Sequence, residues 1–425
     1  MRFLNVISLF ACALLLPSTV GANEQQKLES WLNQVVQHHP RLQAAQASAD
    51  KASAELRAAN QPLFNPELEF EYERAGVDTK TAGITQTIDW GDKRLAQTHL
   101  ADFKLQLSLT ELTVAQQKLT AEVLLALVTY QASIDTLKII EKRSNSMSQF
   151  FSIAKQRYQA GDLTEVELAL AQLASSEANF ELADARSELI INKQNLYVVL
   201  GSGSNSLLMS LPVMSDIPTS SEYPVKDSNQ TLDRLPEMRL ALTRMNIARA
   251  EIKLRQREQR PNPSIGIKAG KEGNDNLTSL SFSMPLFVRN NLSAEVEAAQ
   301  LLLIQREYEA TSTRQALLAQ LTSAEQTLQV NRQAWAQWKA TGGQHLLRKE
   351  KLLGRLWKAG ELSTADYLVQ LKQSLDTEES VIRQRAQLWQ SWTQWLIASG
   401  DIAKWISPQS SLQTNSIPKK LGSGE

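Results

Sequence analysis

Four histidines (His38, His39, His99 and His345) and one cysteine (Cys12) are all that this 425-residue chain has of those types. Only His38 and His39 are adjacent, and neighbours on a helix point in different directions, so they make a poor chelating pair. No HExxH, GxSxG, Walker or dinucleotide-binding glycine pattern occurs. The residues that stand out by type and spacing are carboxylates. Glu67, Glu69, Glu71 and Glu73 alternate with Leu68, Phe70 and Tyr72, which on a strand puts every acid on one face. Asp162, Glu165, Glu361 and Asp366 gather beside Gly161 and Gly360. Fixed negative charge along a wall or around an opening favours cations without transforming them. Neither set carries the base or nucleophile that group transfer needs. The expectation is a chain that is not an enzyme, with no catalytic residue, no cofactor and no protein-bound metal.

The elements that must position these acids begin with the N-terminus. Arg2 supplies a positive start, residues 3–16 are mostly apolar, and Val20-Gly21-Ala22 offers small residues for cleavage. That is the layout of a secretory signal peptide, too short for a membrane helix. Leu9-Phe10-Ala11-Cys12 loosely resembles a lipidation site, but Ala13 to Leu16 continue the apolar core beyond it. On the signal-peptide reading the sole cysteine leaves with the leader, and thiol chemistry goes with it. Lys and Arg (45) balance Asp and Glu (45), so no global field points to nucleic acid. No later stretch reaches the ~18 uninterrupted apolar residues of a membrane helix.

Proline sets the organisation. None falls between Pro66 and Pro212 or between Pro285 and Pro408, and each proline inside a helix costs ~3 kcal/mol, so both gaps invite long helices. The two halves also repeat. His39-Pro40-Arg41-Leu42 resembles Leu235-Pro236-Glu237-Met238, and Asn65-Pro66 matches Asn262-Pro263. Ala160-Gly161-Asp162-Leu163-Thr164 matches Ala359-Gly360-Glu361-Leu362-Ser363, and Leu200-Gly201 aligns with Ser399-Gly400. All four fall in order at offsets of 196 to 199 residues, which reads as an internal duplication.

Each half is predicted to run helix, two strands, long helix, tight turn, long helix. The chain then divides into a signal peptide (1–22), a first repeat (23–201), a Ser- and Pro-rich linker (202–228), a second repeat (229–406) and a flexible tail (407–425). The first helix is expected over 24–60 and its counterpart over 229–259. Strands are expected at Glu67–Glu73 and Thr81–Asp89, with Ile84 and Ile88 on a common face of the latter. In the second half Ile265, Ile267 and Ala269 share one face, and Leu280, Phe282 and Met284 share another. From Asp92 to Gln159, apolar residues recur at steps of mostly four and three, a coiled-coil spacing. At 1.5 Å per residue such a helix is on the order of 100 Å long.

Four amphipathic strands pose a closure problem if they face lipid, because unpaired edge groups have no water to bond there. Closed membrane barrels start at about eight strands, so one chain cannot close a barrel alone. Two copies would give a barrel plugged by its own side chains; three would give twelve strands and a passage. A soluble helical coiled-coil protein with two small hairpins remains the alternative, since short alternation is a weak signal.

Several motifs fit the first of these readings. Asn65-Pro66-Glu67-Leu68 and Gln86-Thr87-Ile88-Asp89-Trp90-Gly91-Asp92-Lys93-Arg94 flank the first strand pair. Arg260-Pro261-Asn262-Pro263-Ser264-Ile265-Gly266 and Met284-Pro285-Leu286-Phe287-Val288-Arg289-Asn290-Asn291 flank the second. In these stretches the chain resembles the TolC family of outer-membrane efflux channels, in particular the heavy-metal subgroup typified by CzcC and CusC. The second stretch is similar to the subgroup's Q-x-hydrophobic-E-x-G-G-K-R, and the last to its P-L-P-L-F-x-R-N. Trp90 and Asp92 depart from the usual residues, and Met284-Pro285-Leu286-Phe287 is one proline short.

The resemblance implies a mainly α fold with a small β portion: long coiled-coil hairpins plus four transmembrane strands per chain. A homotrimer would close a 12-stranded barrel and an α-helical tunnel. It implies a passive conduit in the cell outer membrane, reaching into the periplasm. The implied partners are outer-membrane lipid, a periplasmic membrane-fusion adaptor and an inner-membrane RND pump, with no nucleic acid. Heavy-metal cations would be the cargo. It places partner binding at the two periplasmic hairpin tips, Gly161, Asp162, Leu163 and Thr164, and Gly360, Glu361, Leu362 and Ser363. Leu163 and Leu362 would be the exposed apolar contacts. The same residues are good turn chemistry, with Thr164 and Ser363 as helix caps and Glu167 and Asp366 three positions on. Asp162, Glu165, Glu361 and Asp366 would ring the channel aperture, or simply offset helix dipoles. Glu67, Glu69, Glu71 and Glu73 would face the barrel lumen, or be the wet face of a soluble strand. Phe70, Tyr72 and Trp90 would join an interfacial girdle. A periplasmic adaptor is a further alternative, though the duplicated hairpin argues against it.

Overall fold

The structure, a computed structural model, describes residues 19–74, 76–201, 204–214, 217, 227–342, 352–357 and 359–403. Most of the expected signal peptide, much of the expected linker, the expected tail and His345 lie outside these residues.

In chain order the elements are α1 (Thr19–Gln37), α2 (Pro40–Ala59), β1 (Glu67–Arg74), β2 (Asp78–Thr87), α3 (Lys93–Gln159), α4 (Glu165–Leu200) and α5 (Ser204–Met209). There follow α6 (Ser228–Arg234), α7 (Pro236–Glu258), β3 (Ser264–Glu272), β4 (Asp275–Ser283), α8 (Ser293–Thr341) and α9 (Thr364–Ser399). The mainly helical architecture with one small antiparallel sheet is the one expected, but three details differ. The single first helix is two. Pro40 stands at the first position of α2 and forces His39 into extended backbone (φ −74°, ψ 131°), where its Nδ1 accepts the N–H of Arg41 at 3.1 Å. A proline restricts the residue before it in this way. The second repeat breaks identically: Leu235 (φ −61°, ψ 136°) precedes Pro236 and splits α6 from α7. The second strand starts at Asp78 and stops at Thr87, so Ile88 and Asp89 lie beyond it. Met284 likewise falls outside β4. Within α3 one 18-residue stretch is apolar enough, by length and composition, to cross a membrane. No uninterrupted apolar run exists there, because Thr, Gln and Ser are interleaved.

The chain forms two compact units. Among the described residues, one comprises those within 19–35 and 126–217, the other those within 36–125 and 227–403. In the first, the C-terminal part of α3 meets α4. Ala171, Ala178 and Ala185 of α4 are buried at heptad spacing, small enough to let two helix backbones approach. Arg143 of α3, its side chain only 6% exposed, reaches Glu181 of α4 at 2.7 Å, and Ser144 donates to Asn179 at 2.9 Å. Trp31 of α1 donates its indole N–H to the Leu207 carbonyl at 3.2 Å, and Gln131 pairs with Pro212 and Met214.

In the second unit α7 packs on α8, and α8 on α9. Leu232, Leu235, Met238 and Ala310 form one buried cluster, so the proline break is itself part of the core. Leu100, Ala250 and Leu254 form another, seating the start of α3 on α7. Arg257, near the end of α7, reaches Asp92 at 3.1 Å, ahead of α3. Trp389 and Trp392 of α9 meet edge to face at 5.3 Å, with Trp395 fully buried.

Candidate channel wall and hairpin tips

All four strands form one antiparallel sheet in the order β1-β2-β3-β4. The β2–β3 ladder joins the two repeats directly, pairing Thr81 with Gly270, Gly83 with Lys268 and Thr85 with Gly266. The register sorts every side chain. Leu68, Ile84, Ile267 and Leu280 lie in one cross-strand row, flanked by Phe70, Ala82, Ala269 and Thr278 on one side and Gln86, Ile265 and Phe282 on the other. This face is open: Leu68 is 66% exposed, Ile267 59% and Leu280 79%. A contiguous apolar patch of this kind is foreign to a surface in water. Ile265, Ile267 and Ala269 share it with Leu280 and Phe282, so the two groups read separately in the sequence form a single face.

The opposite face is polar apart from Leu277. Glu67, Glu69, Glu71 and Glu73 stand there with Thr79, Thr81, Thr85, Ser264, Ser279, Ser281 and Glu272. Lys268 stands among them, 2.9 Å from Glu69 and 3.2 Å from Glu71. Alternation with one apolar and one polar face is what a membrane strand beside water requires. Nearer the hairpin ends the apolar face turns polar through Tyr72, Lys80, Lys271 and Asn276. Phe70, Tyr72 and Trp90 are all exposed.

Below the sheet, the stretch from Gln86 to Arg94 is a strand-to-helix corner. Asp89 leaves the strand and its carboxylate accepts the N–H groups of Lys93 and Arg94, both at 2.9 Å, capping α3. Asp92 takes the left-handed backbone (φ 53°) that suits the glycine of the resembling motif. The corner in the second repeat has the same design: Leu292 is left-handed (φ 58°), and Asn290 and Asn291 accept the N–H groups of Leu292 and Ser293. Asp89 as a cap was not singled out in the sequence, although an Asp shortly before a long helix is the available signal.

The two hairpin tips share one geometry, each within its own unit. Gly161 (φ 85°) donates to Tyr158 O and Asp162 to Arg157 O. Gly360 (φ 79°) donates to Trp357 O and Glu361 to Leu356 O. This six-to-one and five-to-two pairing satisfies the last carbonyls of a helix. Thr164 then opens α4 with a complete capping box: its Oγ accepts Glu167 N–H at 3.3 Å, and its N–H donates to Glu167 Oε2 at 2.9 Å. That backbone N–H, joined by the Thr164 hydroxyl donating to the same Oε2 at 2.9 Å, holds the Glu167 carboxyl below the usual carboxylate range. At the second tip Ser363 accepts Asp366 N–H at 3.1 Å, while Asp366 takes the Ser363 hydroxyl at 2.6 Å. Trp357 stacks on Tyr367 at 4.8 Å beside this turn. Asp162, Glu165, Glu361 and Asp366 are all exposed, but Leu163 and Leu362, expected as exposed contacts, are half-buried.

Long helices joined to a four-stranded sheet with one apolar and one polar face are parts that suit a wall between lipid and water. Residues 31–202 match the family described as "Outer membrane efflux protein". The chain is 24% identical over 314 residues to the cobalt-zinc-cadmium resistance protein CzcC of Cupriavidus metallidurans, covering 72% of this chain and 73% of that one. Its fold is similar to the CmeC outer membrane channel of Campylobacter jejuni (TM-score 0.76, 14% identity, 94% of each chain). It is also similar to CusC (TM-score 0.72, 15% identity, 91% of this chain and 95% of that one). Over residues 31–202 the chain thus matches the outer membrane efflux protein family, and its fold is the one seen in outer-membrane channels.

Proposed function

We propose that three copies of this chain close a 12-stranded barrel, continued by an α-helical tunnel, and act as the passive outer-membrane conduit of a tripartite RND-type efflux system. The observation that carries this reading is the sheet. It has one apolar face, one acidic face and two outer strands, β1 and β4, with free outer edges among the described residues. In hydrocarbon those edges must be paired, and a neighbouring copy supplies the complementary edge. The glutamates of β1 then line the lumen. The exposed and half-buried apolar surface of α3 packs against helices of neighbouring copies.

On this reading the tips, Gly161 to Thr164 and Gly360 to Ser363, engage the periplasmic adaptor, and the adaptor links the channel to an inner-membrane pump. The rigid, capped turns suit a docking surface that must keep its shape. Asp162, Glu165, Glu361 and Asp366 supply negative charge at the aperture; neutralising all four without changing conductance or selectivity would remove that role. The cargo we assign is divalent metal cations, on the likeness to CzcC and the acidic wall. Deleting the gene in its host and measuring growth in cobalt, zinc and cadmium tests the assignment. Loss of tolerance to at least one of the three is expected. Unchanged tolerance to all three, with new sensitivity to an organic toxicant, would overturn the metal cargo and leave the conduit standing.

A further inference from the structure

The acidic face of the sheet carries one cation. Among the strand residues the register places six carboxylates there (Glu67, Glu69, Glu71, Glu73, Glu272 and Asp275) and a single ammonium, Lys268. Arg74, Lys80 and Lys271 fall on the opposite face, near the hairpin ends. Lysines on an open sheet face ordinarily extend into water, yet the Lys268 side chain is only 23% exposed. It lies flat. From β3 it crosses β2 to reach Glu69 and Glu71 on β1.

The path exists because of Gly83. Gly83 is the β2 residue paired with both Lys268 and Glu69, so it sits between them. A Cβ there would overlap Cγ of Lys268 and stand 2.6 Å from the carbonyl oxygen of Ile267. The neighbours of Lys268 along its own strand face are Gly266 and Gly270, so no side chain props it away from the sheet on either side.

We propose that Lys268, laid across Gly83, is a specificity-determining residue of the channel: it cancels part of the acidic wall at mid-strand and sets the cation-to-anion permeability ratio. The proposal rests on the polar face being the lumen. A fixed charge acts on ions within a Debye length, about 8 Å at physiological salt, and a charged lining sets which ions concentrate there. Losing the ammonium raises the surplus of carboxylates on each chain's face. Losing Glu69 and Glu71 lowers it and leaves the ammonium unmatched.

The test is the reversal potential of purified channels in planar bilayers under a KCl gradient, for the full chain, Lys268→Gln, Glu69→Gln with Glu71→Gln, and Glu67→Gln with Glu73→Gln. Lys268→Gln is expected to raise the permeability ratio for potassium over chloride by about twofold. The Glu69/Glu71 pair is expected to lower it by a similar factor, so either variant keeps the proposal testable if the other fails to assemble. A lowered ratio in the Glu67/Glu73 pair with no change in Lys268→Gln would overturn the role of Lys268 while keeping the polar face as lumen. No change in any variant would overturn the lumen reading itself.

Discussion

Asp92 and Leu292 hold the same left-handed backbone, at φ 53° and 58°, and each directly precedes the long helix of its repeat. They are the only non-glycine residues with positive φ among those described. Asp tolerates that conformation, whereas Leu pays for it with a close contact between Cβ and the following carbonyl. Leu292→Gly is therefore expected to stabilise the solubilised protein by about 0.5–1 kcal/mol, and Leu292→Val to destabilise it. Thermal unfolding reads both. A Leu292→Gly variant less stable than the parent would show that the corner is held by the leucine side chain instead.

The first tip gives a pH prediction. Folding lowers the Glu167 pKa through its bonds to Thr164, so the stability it contributes is present above the ordinary carboxylate pKa. It is lost as pH falls through the lowered folded value. Amide exchange at the start of α4 should accelerate over that acidic window relative to the rest of the helix. Thr164→Ala should bring faster exchange there at neutral pH, by about fivefold, the usual worth of an N-cap. Exchange that is unchanged in Thr164→Ala would remove the capping box as the anchor of the tip.

The two faces of the sheet predict opposite tolerance to charge. Ile267→Lys, in the central apolar row, is expected to cost about 2–4 kcal/mol in bilayer or detergent. Ser279→Lys, whose residue pairs with Lys268 on the polar face, is expected to assemble normally. Yield and heat stability of the folded oligomer measure the contrast. Equal loss in both would contradict the assignment of faces.

Within the first hairpin, Arg143 is almost fully covered and bonded to Glu181. Glu181→Ala leaves the buried guanidinium short of its carboxylate and is expected to cost on the order of 1–3 kcal/mol. Replacing both residues together, Arg143→Met with Glu181→Leu, should cost less than Glu181→Ala alone. Thermal unfolding of the three proteins decides; a double variant worse than the single would make the ion pair itself the stabilising element.

Much of the fold is legible in the sequence because it is built from local signals repeated twice. The proline-free gaps become α3, α4, α8 and α9, and the glycines at 161 and 360 become left-handed turns. The alternation of Glu67 to Glu73 becomes an acidic sheet face. What escapes is set by neighbours rather than by pattern. The breaks before Pro40 and Pro236 needed attention to the residue ahead of each proline, since helical periodicity runs across them. The end of β2 at Thr87 depends on Asp89 being drawn down to cap α3. Lys268 could not be placed from spacing alone: only the β2–β3 register brings a lysine of the second repeat over a glycine of the first.

On the trimer proposal, one chain supplies a third of a closed wall. Mass measurement of the detergent-solubilised protein, followed by single-channel recording from the same species in a planar bilayer, tests it most directly. A trimer that opens discrete ion-conducting steps is expected. A stable, detergent-free monomer that carries no current would contradict it.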